Sequence, residues 1–213
     1  MKISRFIVNP FGVNTYVMWD PASLEAAIID PGMIDPDEFK AVDSFIEREH
    51  LSPRHLINTH MHLDHIFGNL YIKDRYGLDI KAHKADEFLG KTLSEQTKRF
   101  HLPADVTDHG IDIPLNDNDR LYLGKEPIDI LCVPGHSPGS IALYCPESGF
   151  VITGDALFQG SIGRTDLPKG DYGTLIDSIR RRILTLPPET VILPGHGPET
   201  TVGKEISSNP YIN

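Results

Sequence analysis

The stretch Thr59-His60-Met61-His62-Leu63-Asp64-His65 decides how this chain reads. It comes after the apolar run Leu56-Ile57 and packs three imidazoles and a carboxylate into positions 60–65. Imidazole nitrogen and carboxylate oxygen are the donors that borderline divalent cations such as zinc or iron accept. His60 and His62, two apart, can project into one site from a turn leaving a strand. Asp64 and His65 then fall on the first turn of the next element and reach a second point nearby. A chance cluster of surface histidines is the bland alternative, and the density of donors speaks against it.

Working outward, a short motif occurs twice, as Pro134-Gly135-His136-Ser137-Pro138 and Pro194-Gly195-His196-Gly197-Pro198. Each comes directly after an apolar strand, Ile128 to Val133 or Val191 to Leu193. Glycine permits tight turning and the prolines stiffen the loop, so each histidine is held at a strand end. Between them, Phe150-Val151-Ile152-Thr153-Gly154-Asp155 puts a carboxylate at another strand end. A lone Pro-Gly-His is as readily a turn as a ligand. Together, five histidines and two aspartates on strand-end loops make accident a poor account. The donor count favours two metals. Three histidines and a carboxylate complete one site, and Asp64, His65 and His196 complete a second if Asp155 bridges.

The rest of the chain reads as strands with outer helices. Ile3 to Val8, Thr15 to Trp19 and Ala26 to Ile29 form an antiparallel meander. Asp35 as N-cap and Pro36 at the first helical position open a helix whose apolar residues Phe39, Val42, Phe45 and Ile46 keep a 3.6-residue period. A helix carrying Ile66, Leu70 and Tyr76 comes after the histidines and ends at Gly77. Asp79 to Ala82 is a short strand and Ala85 to Lys91 a short helix. Thr92 to Asp112 is expected to be a partly irregular connection, with His101 and His109 on the surface. Strands return at Leu121 to Leu123, Ile128 to Val133, Ile141 to Cys145 and Phe150 to Thr153. After a glycine-rich loop, Asp171 caps a helix bearing Leu175, Ile176, Ile179, Ile183 and Leu184. Val191 to Leu193 is expected to be the last strand, and the tail to Asn213 is polar. Both halves run strands first and a helix late, so a duplicated β-rich unit is expected.

The chain has 213 residues, enough for one large domain spanning 1–213, and no linker divides it. A formal charge of −10 argues against a nucleic-acid binder, because affinity for phosphate backbones comes from clustered Lys and Arg. Arg180-Arg181-Arg182 reads as a solvated helix face. Two cysteines, Cys132 and Cys145, lie in apolar runs and do not make a disulfide framework. The first ten residues lack the apolar core of a secretion signal, and no run approaches the ~20 apolar residues of a membrane span. A reducing cytoplasm is the expected compartment.

His60-x-His62-x-Asp64-His65, Pro-Gly-His136, Gly-Asp155 and Pro-Gly-His196 resemble the metal-ligand motifs of the metallo-β-lactamase superfamily. The resemblance implies an α+β fold, an αββα four-layer sandwich with the metal site at the edge of the two sheets. Gly154 to Phe158, Gly163 to Asp166 and the Pro-Gly-His-Gly-Pro ending are similar to the short, single-domain hydroxyacylglutathione hydrolases (glyoxalase II), which lack the C-terminal helical domain of the longer enzymes. By position, the resemblance assigns His60, His62 and His136 to a first metal, Asp64, His65 and His196 to a second, and Asp155 to the bridge. Arg164 falls where the longer enzymes carry a basic residue that contacts glutathione. Asp166 and Pro198 stand where tyrosines would complete that contact. An aspartate at 155, where dizinc β-lactamases place a cysteine, argues against antibiotic hydrolysis.

The expected reaction is hydrolysis of a small thioester of the S-lactoylglutathione type by a metal-bridging hydroxide, with a metal ion stabilising the oxyanion. Two divalent ions are expected, zinc first, with iron and manganese suited to the same donors. Asp64 has the catalytic role of orienting the nucleophile. Asp30 is open between a turn residue and a partner to a ligand histidine. The alternatives are a mononuclear iron persulfide dioxygenase, whose Gly-Arg-Thr-Asp segment resembles Gly163 to Asp166, and a lactonase. A nuclease is disfavoured by charge, and a non-catalytic protein by the intact donor set.

Overall fold

Two six-stranded sheets stack face to face, each with helices on its outer side. The computed structural model describes residues 1–102 and 106–212. In chain order the first sheet is β1 (Lys2–Val8), β2 (Val13–Trp19), β3 (Glu25–Ile29), β4 (Ser52–Ile57), β5 (Ile80–Ala82) and β6 (Ile113–Pro114). β1 to β3 are antiparallel, and β3 to β6 are parallel. The second sheet comprises β7 (Arg120–Leu123), β8 (Glu126–Cys132), β9 (Ile141–Cys145), β10 (Phe150–Gly154), β13 (Val191–Pro194) and β14 (Thr200–Thr201). A small hairpin, β11 (Leu157–Phe158) with β12 (Ser161–Ile162), lies between β10 and β13 in sequence.

The period of two along each strand sorts residues into layers. Ala27, Ile29 and Ile57 face the second sheet and join Tyr16, Met18, Ile130, Leu143 and Ile152 in the core between the sheets. Their neighbours Ala26, Ile28 and Leu56 face outward onto α1 (Pro36–Arg48) and α3 (Asn69–Tyr76) through Val42, Ile46 and Ile72. On the far side, Val133, Val151 and Ile192 pack against Leu175, Ile176, Ile179 and Ile183. These last residues lie on one continuous helix, α6 (Tyr172–Ser178), which passes into a wider π-helical turn at Ile179–Ile183. The layer order is therefore αββα, as expected. Among the described residues, no helix is long and apolar enough to cross a membrane.

The helix ends obey their sequence signals. Asp35 and Glu38 make a reciprocal capping box at the start of α1, and Asp171 caps α6 by accepting from Thr174 N–H. The short helix expected after β5 is present as α4 (Glu87–Gly90). Three expectations are corrected. The helix after the histidines is two pieces, α2 (Leu63–Ile66) and α3, because Gly68 interrupts it and donates its N–H to Pro31 O (2.7 Å). The connection after Thr92 contains α5 (Leu93–Arg99), whose two buried residues, Leu93 and Thr97, lie one helical turn apart; residues 103–105 lie outside the described residues. The polar tail forms β14 and α7 (Val202–Ser208), anchored by the buried Glu205, whose carboxylate accepts from Thr200 Oγ1, Gly160 N–H and Asn209 Nδ2. In both missed helices a short stretch buries so few residues that no apolar stripe is visible in sequence.

The sheets are also joined by polar contacts along one edge. Ile141 N–H donates to Thr59 O (2.8 Å), linking β9 to the end of β4. From β2, Asn14 N–H donates to Gly195 O (2.7 Å), and Tyr16 Oη donates to Pro194 O (2.8 Å). Replacing Tyr16 with Phe removes a donor from a buried carbonyl. We expect it to lower stability by about 1–2 kcal/mol, read as a lower denaturant midpoint with an unchanged slope; no change in the midpoint would show that this contact does not hold the edge.

Candidate metal centre

The C-terminal ends of β4, β8, β10 and β13 lie at that shared edge, and each delivers part of one buried cluster. His60 and His62 leave β4 on an extended turn, and His62 begins α2, whose first turn carries Asp64 and His65. His136 comes after β8, Asp155 after β10 and His196 after β13. All seven expected residues come together. His60, His62, His65 and His136 are buried, Asp64 and Asp155 nearly so, and His196 is about one-quarter exposed at the rim (25%).

The donors form two triads. One nitrogen each from His60, His62 and His136 lie within 4.8 Å of one another, as do single donor atoms of Asp64, His65 and His196. Asp155 stands between them. Its Oδ1 is 3.5 Å from His65 Nε2, while Oδ2 is 3.6 Å from His136 Nε2 and 3.5 Å from His196 Nε2. Asp64 Oδ2 is 3.4 Å from His196 Nε2 and 3.8 Å from His65 Nε2. Gly195 is required for this closeness, since a Cβ there would stand 2.2 Å from Asp155 Oδ1.

The outward hydrogen bonds of the histidines fix which atom faces the centre. His65 Nδ1 donates to Asp30 Oδ2 (3.1 Å), His136 Nδ1 to Arg164 O (2.8 Å) and His196 Nδ1 to Phe11 O (3.1 Å). Thr59 Oγ1 donates to Asp30 Oδ2 (2.6 Å), which leaves its lone pair to accept from His60 Nδ1 (3.1 Å). Each of these four rings thereby presents Nε2 inward. His62 is turned the other way, with Nδ1 2.8 Å from His136 Nε2. Two ring nitrogens so close share either a proton or a cation.

The electrostatics point the same way. Burial holds His60 well below the usual imidazole value, and burial with the neighbouring His136 takes His62 down to about 3, so both keep free lone pairs at neutral pH. Burial also opposes a charge on His65, yet Asp155, Asp64 and Asp30 outweigh it and raise that group to about 10. Burial would raise Asp64, but His65 and His196 pull it below the usual carboxylate range. Three carboxylates thus crowd the buried imidazoles, and among the described residues the inward atoms His60 Nε2 and Asp155 Oδ1 are buried without a hydrogen-bond partner. A donor set with unmet lone pairs and crowded carboxylates fits divalent cations.

Asp30, open between two readings in sequence, is a buried partner: its carboxylate accepts from Thr59 N–H (2.7 Å), Thr59 Oγ1 and His65 Nδ1. Arg164 lies at the rim, where its carbonyl holds His136; its exposed guanidinium is paired in two-pronged fashion with Asp166 (both 2.7 Å). His109 departs from expectation. It is half-buried and its Nε2 meets Asn69 Nδ2 (3.0 Å), whose side chain pairs with Asn58 in a buried network that reaches His65 O. Two supporting residues were not singled out. Asn14 donates to Pro194 O and Gly197 O (both 2.9 Å), and a buried asparagine inside the apolar β2 was a readable signal. Asp86, buried just after β5, had no such signal.

Comparison with known proteins identifies the fold. Residues 8–196 match the metallo-beta-lactamase superfamily. The chain is 40% identical to the hydroxyacylglutathione hydrolase GloC of Haemophilus influenzae, covering 100% of this chain and 99% of that one. Among solved structures, the B3 metallo-beta-lactamase BLEG-1 superposes with a TM-score of 0.89 at 33% identity over 100% of both chains. TTHA1623 in a di-iron-bound form superposes with a TM-score of 0.86 at 34% identity, covering 98% of this chain and 99% of that one. Fold, donor set and likeness over the full length together make this chain a member of the metallo-beta-lactamase superfamily.

Proposed function

We propose that the protein is a dinuclear metal-dependent hydrolase of small thioesters, of the hydroxyacylglutathione type. The observation that carries this reading is the position of Asp155, whose two oxygens lie within 3.6 Å of inward nitrogens from both triads. His60, His62 and His136 would hold one cation, Asp64, His65 and His196 the other, and Asp155 both. Bound there, a pair of divalent cations supplies Lewis acidity toward a carbonyl and a water acidic enough to act as nucleophile near neutral pH. The Haemophilus relative, named for hydroxyacylglutathione hydrolysis, supports the substrate class.

The chain's own residues have separate tasks. Asp64 reaches His196 and His65 from the first turn of α2 and would orient the nucleophile between them. Asp30 and the carbonyls of Arg164 and Phe11 accept from the Nδ1–H of His65, His136 and His196, so Nε2 is the nitrogen that each ring turns to the centre and would offer to a cation. A thiol, with a pKa of about 8.5, leaves as the thiolate without a proton donor, so none of the seven donors must double as an acid. Arg164, at the rim beside His136, would meet the thiol-bearing part of the substrate once its pairing with Asp166 yields.

Zinc is the proposed ion, and iron and manganese suit the same nitrogen and oxygen donors; the likeness to a di-iron structure keeps iron in contention. The unpaired thiols of Cys132 and Cys145 support a reducing compartment, proposed as the cytoplasm. The net charge of −10 supports a small-molecule substrate over a nucleic acid.

His62→Ala and Asp155→Ala should each lower thioester hydrolysis on the order of 10²-fold or more while far-UV circular dichroism stays that of the wild type. Steady-state kinetics on S-lactoylglutathione and on a simpler thioester, with metal content measured beside them, make the check. Retained hydrolysis by folded, metal-poor variants would refute the assignment. Dialysis against a chelator should abolish activity, and one of zinc, iron(II) or manganese(II) should restore it. Oxygen uptake on adding glutathione persulfide is expected to be absent; its presence would favour a mononuclear iron dioxygenase instead.

A further inference from the structure

Asp86 is fully buried at the end of a short 3₁₀ turn, Lys84–Asp86, that comes after β5. It is distant in sequence from every donor of the cluster, yet its carboxylate is shared between two of the donor loops. Oδ2 accepts from Ser137 Oγ (2.6 Å) and from Met61 N–H (3.2 Å), while Oδ1 accepts from Gly139 N–H (2.6 Å). Met61 lies between His60 and His62, and Ser137 is adjacent to His136. The fit is close, since a Cβ at Gly139 would stand 2.7 Å from Asp86 Oδ1 and 2.8 Å from its backbone nitrogen. Among the described residues its three hydrogen bonds reach Met61, Ser137 and Gly139, within three residues of His60, His62 and His136. Asp64, His65 and His196 are held by other groups, Asp30, Asn9, which donates to Asp64 O (2.9 Å), and Phe11 O.

We propose that Asp86 is a positioning residue for the His60–His62–His136 triad alone, setting the affinity of one cation site and leaving the other unchanged. The inference rests on the dinuclear reading above. Its physical basis is that three buried donors, two of them backbone N–H groups, need an acceptor with two oxygens. A carboxylate meets all three; an amide cannot, because its NH₂ would face an N–H or O–H donor. Asp86→Asn would therefore push the two loops apart, and the triad they carry would lose its spacing. Ser137→Ala removes one of the three bonds and should act in the same direction, more weakly.

The test is a competition titration of zinc against a chromophoric chelator on the wild type, Asp86→Asn, Ser137→Ala, His136→Ala, and Asp86→Asn combined with His136→Ala. The wild type should show two binding steps. Asp86→Asn should weaken one of them about 10–100-fold, the range seen for partners of metal ligands, and leave the other within about twofold. Ser137→Ala should weaken the same step about fivefold, the loss of one hydrogen bond. On the His136→Ala background, which removes the triad, Asp86→Asn should have no further effect on the remaining step. Equal weakening of both steps, or of neither, overturns the proposal, because a merely structural role would not select between sites. If Asp86→Asn fails to fold, Ser137→Ala decides alone, and an unchanged titration refutes the inference. Binding of only one equivalent of zinc by the wild type would refute the dinuclear reading itself; Asp86 is then refuted as well only if that one affinity survives both substitutions.

Discussion

The site depends on one constraint: the ends of strands from two separate sheets must stay level with each other at a single edge. Hydrophobic contact between the sheets brings them together but is non-directional and would tolerate sliding. Direction comes from the polar contacts at the edge. Ile141 N–H bonds to Thr59 O, and Asn14 and Tyr16 of β2 bond to the carbonyls of the Pro194-Gly195-His196 loop. Asn14 is buried in a strand whose neighbours are all buried, so a slip would strip its Nδ2 of both carbonyl partners at a cost of about 1–3 kcal/mol. Polar groups that are expensive to bury act here as register pins.

Buried carboxylates repeat that logic closer to the centre. Asp30 collects Thr59 and His65, and Asp86 collects Met61, Ser137 and Gly139, so two aspartates outside the donor set organise the loops that carry it. Burial disfavours the charge on Asp86, and the bonds from Ser137, Gly139 and Met61 work against that effect. Inside the cluster the balance of charge is the opposite of a hydrophobic core: Asp155, Asp64 and Asp30 surround His65 and, against its burial, favour a proton on its inward nitrogen while no cation is there. Taking up a divalent cation would replace that proton, coupling metal binding to pH.

Much of this was legible in the sequence because the donors lie in local motifs. His60 to His65 and the two Pro-Gly-His loops each come after a strand that declares itself by β-branched, apolar composition, so their strand-end placement could be read directly. The caps at Asp35 and Asp171 were readable for the same reason, their signals being contiguous, whereas the αββα layering came with the family resemblance that the donor motifs carry. What escaped depends on pairing across long stretches of chain. Nothing near His83-Lys84-Ala85-Asp86 says that its carboxylate meets Met61 and Ser137. Helices α5 and α7 bury two residues each, too few to leave a period. The split between α2 and α3 is made by the approach of Gly68 to Pro31, a contact with no trace in composition.

In the proposed dinuclear reading these seven side chains cradle a pair of cations. Anomalous diffraction from crystals of the metal-loaded protein, recorded on both sides of the metal absorption edge, tests it most directly. Two peaks about 3.5–4 Å apart are expected, one against His60, His62 and His136, the other against Asp64, His65 and His196, with Asp155 between them. A single peak, or a pair that leaves either His136 or His196 uncoordinated, would contradict it.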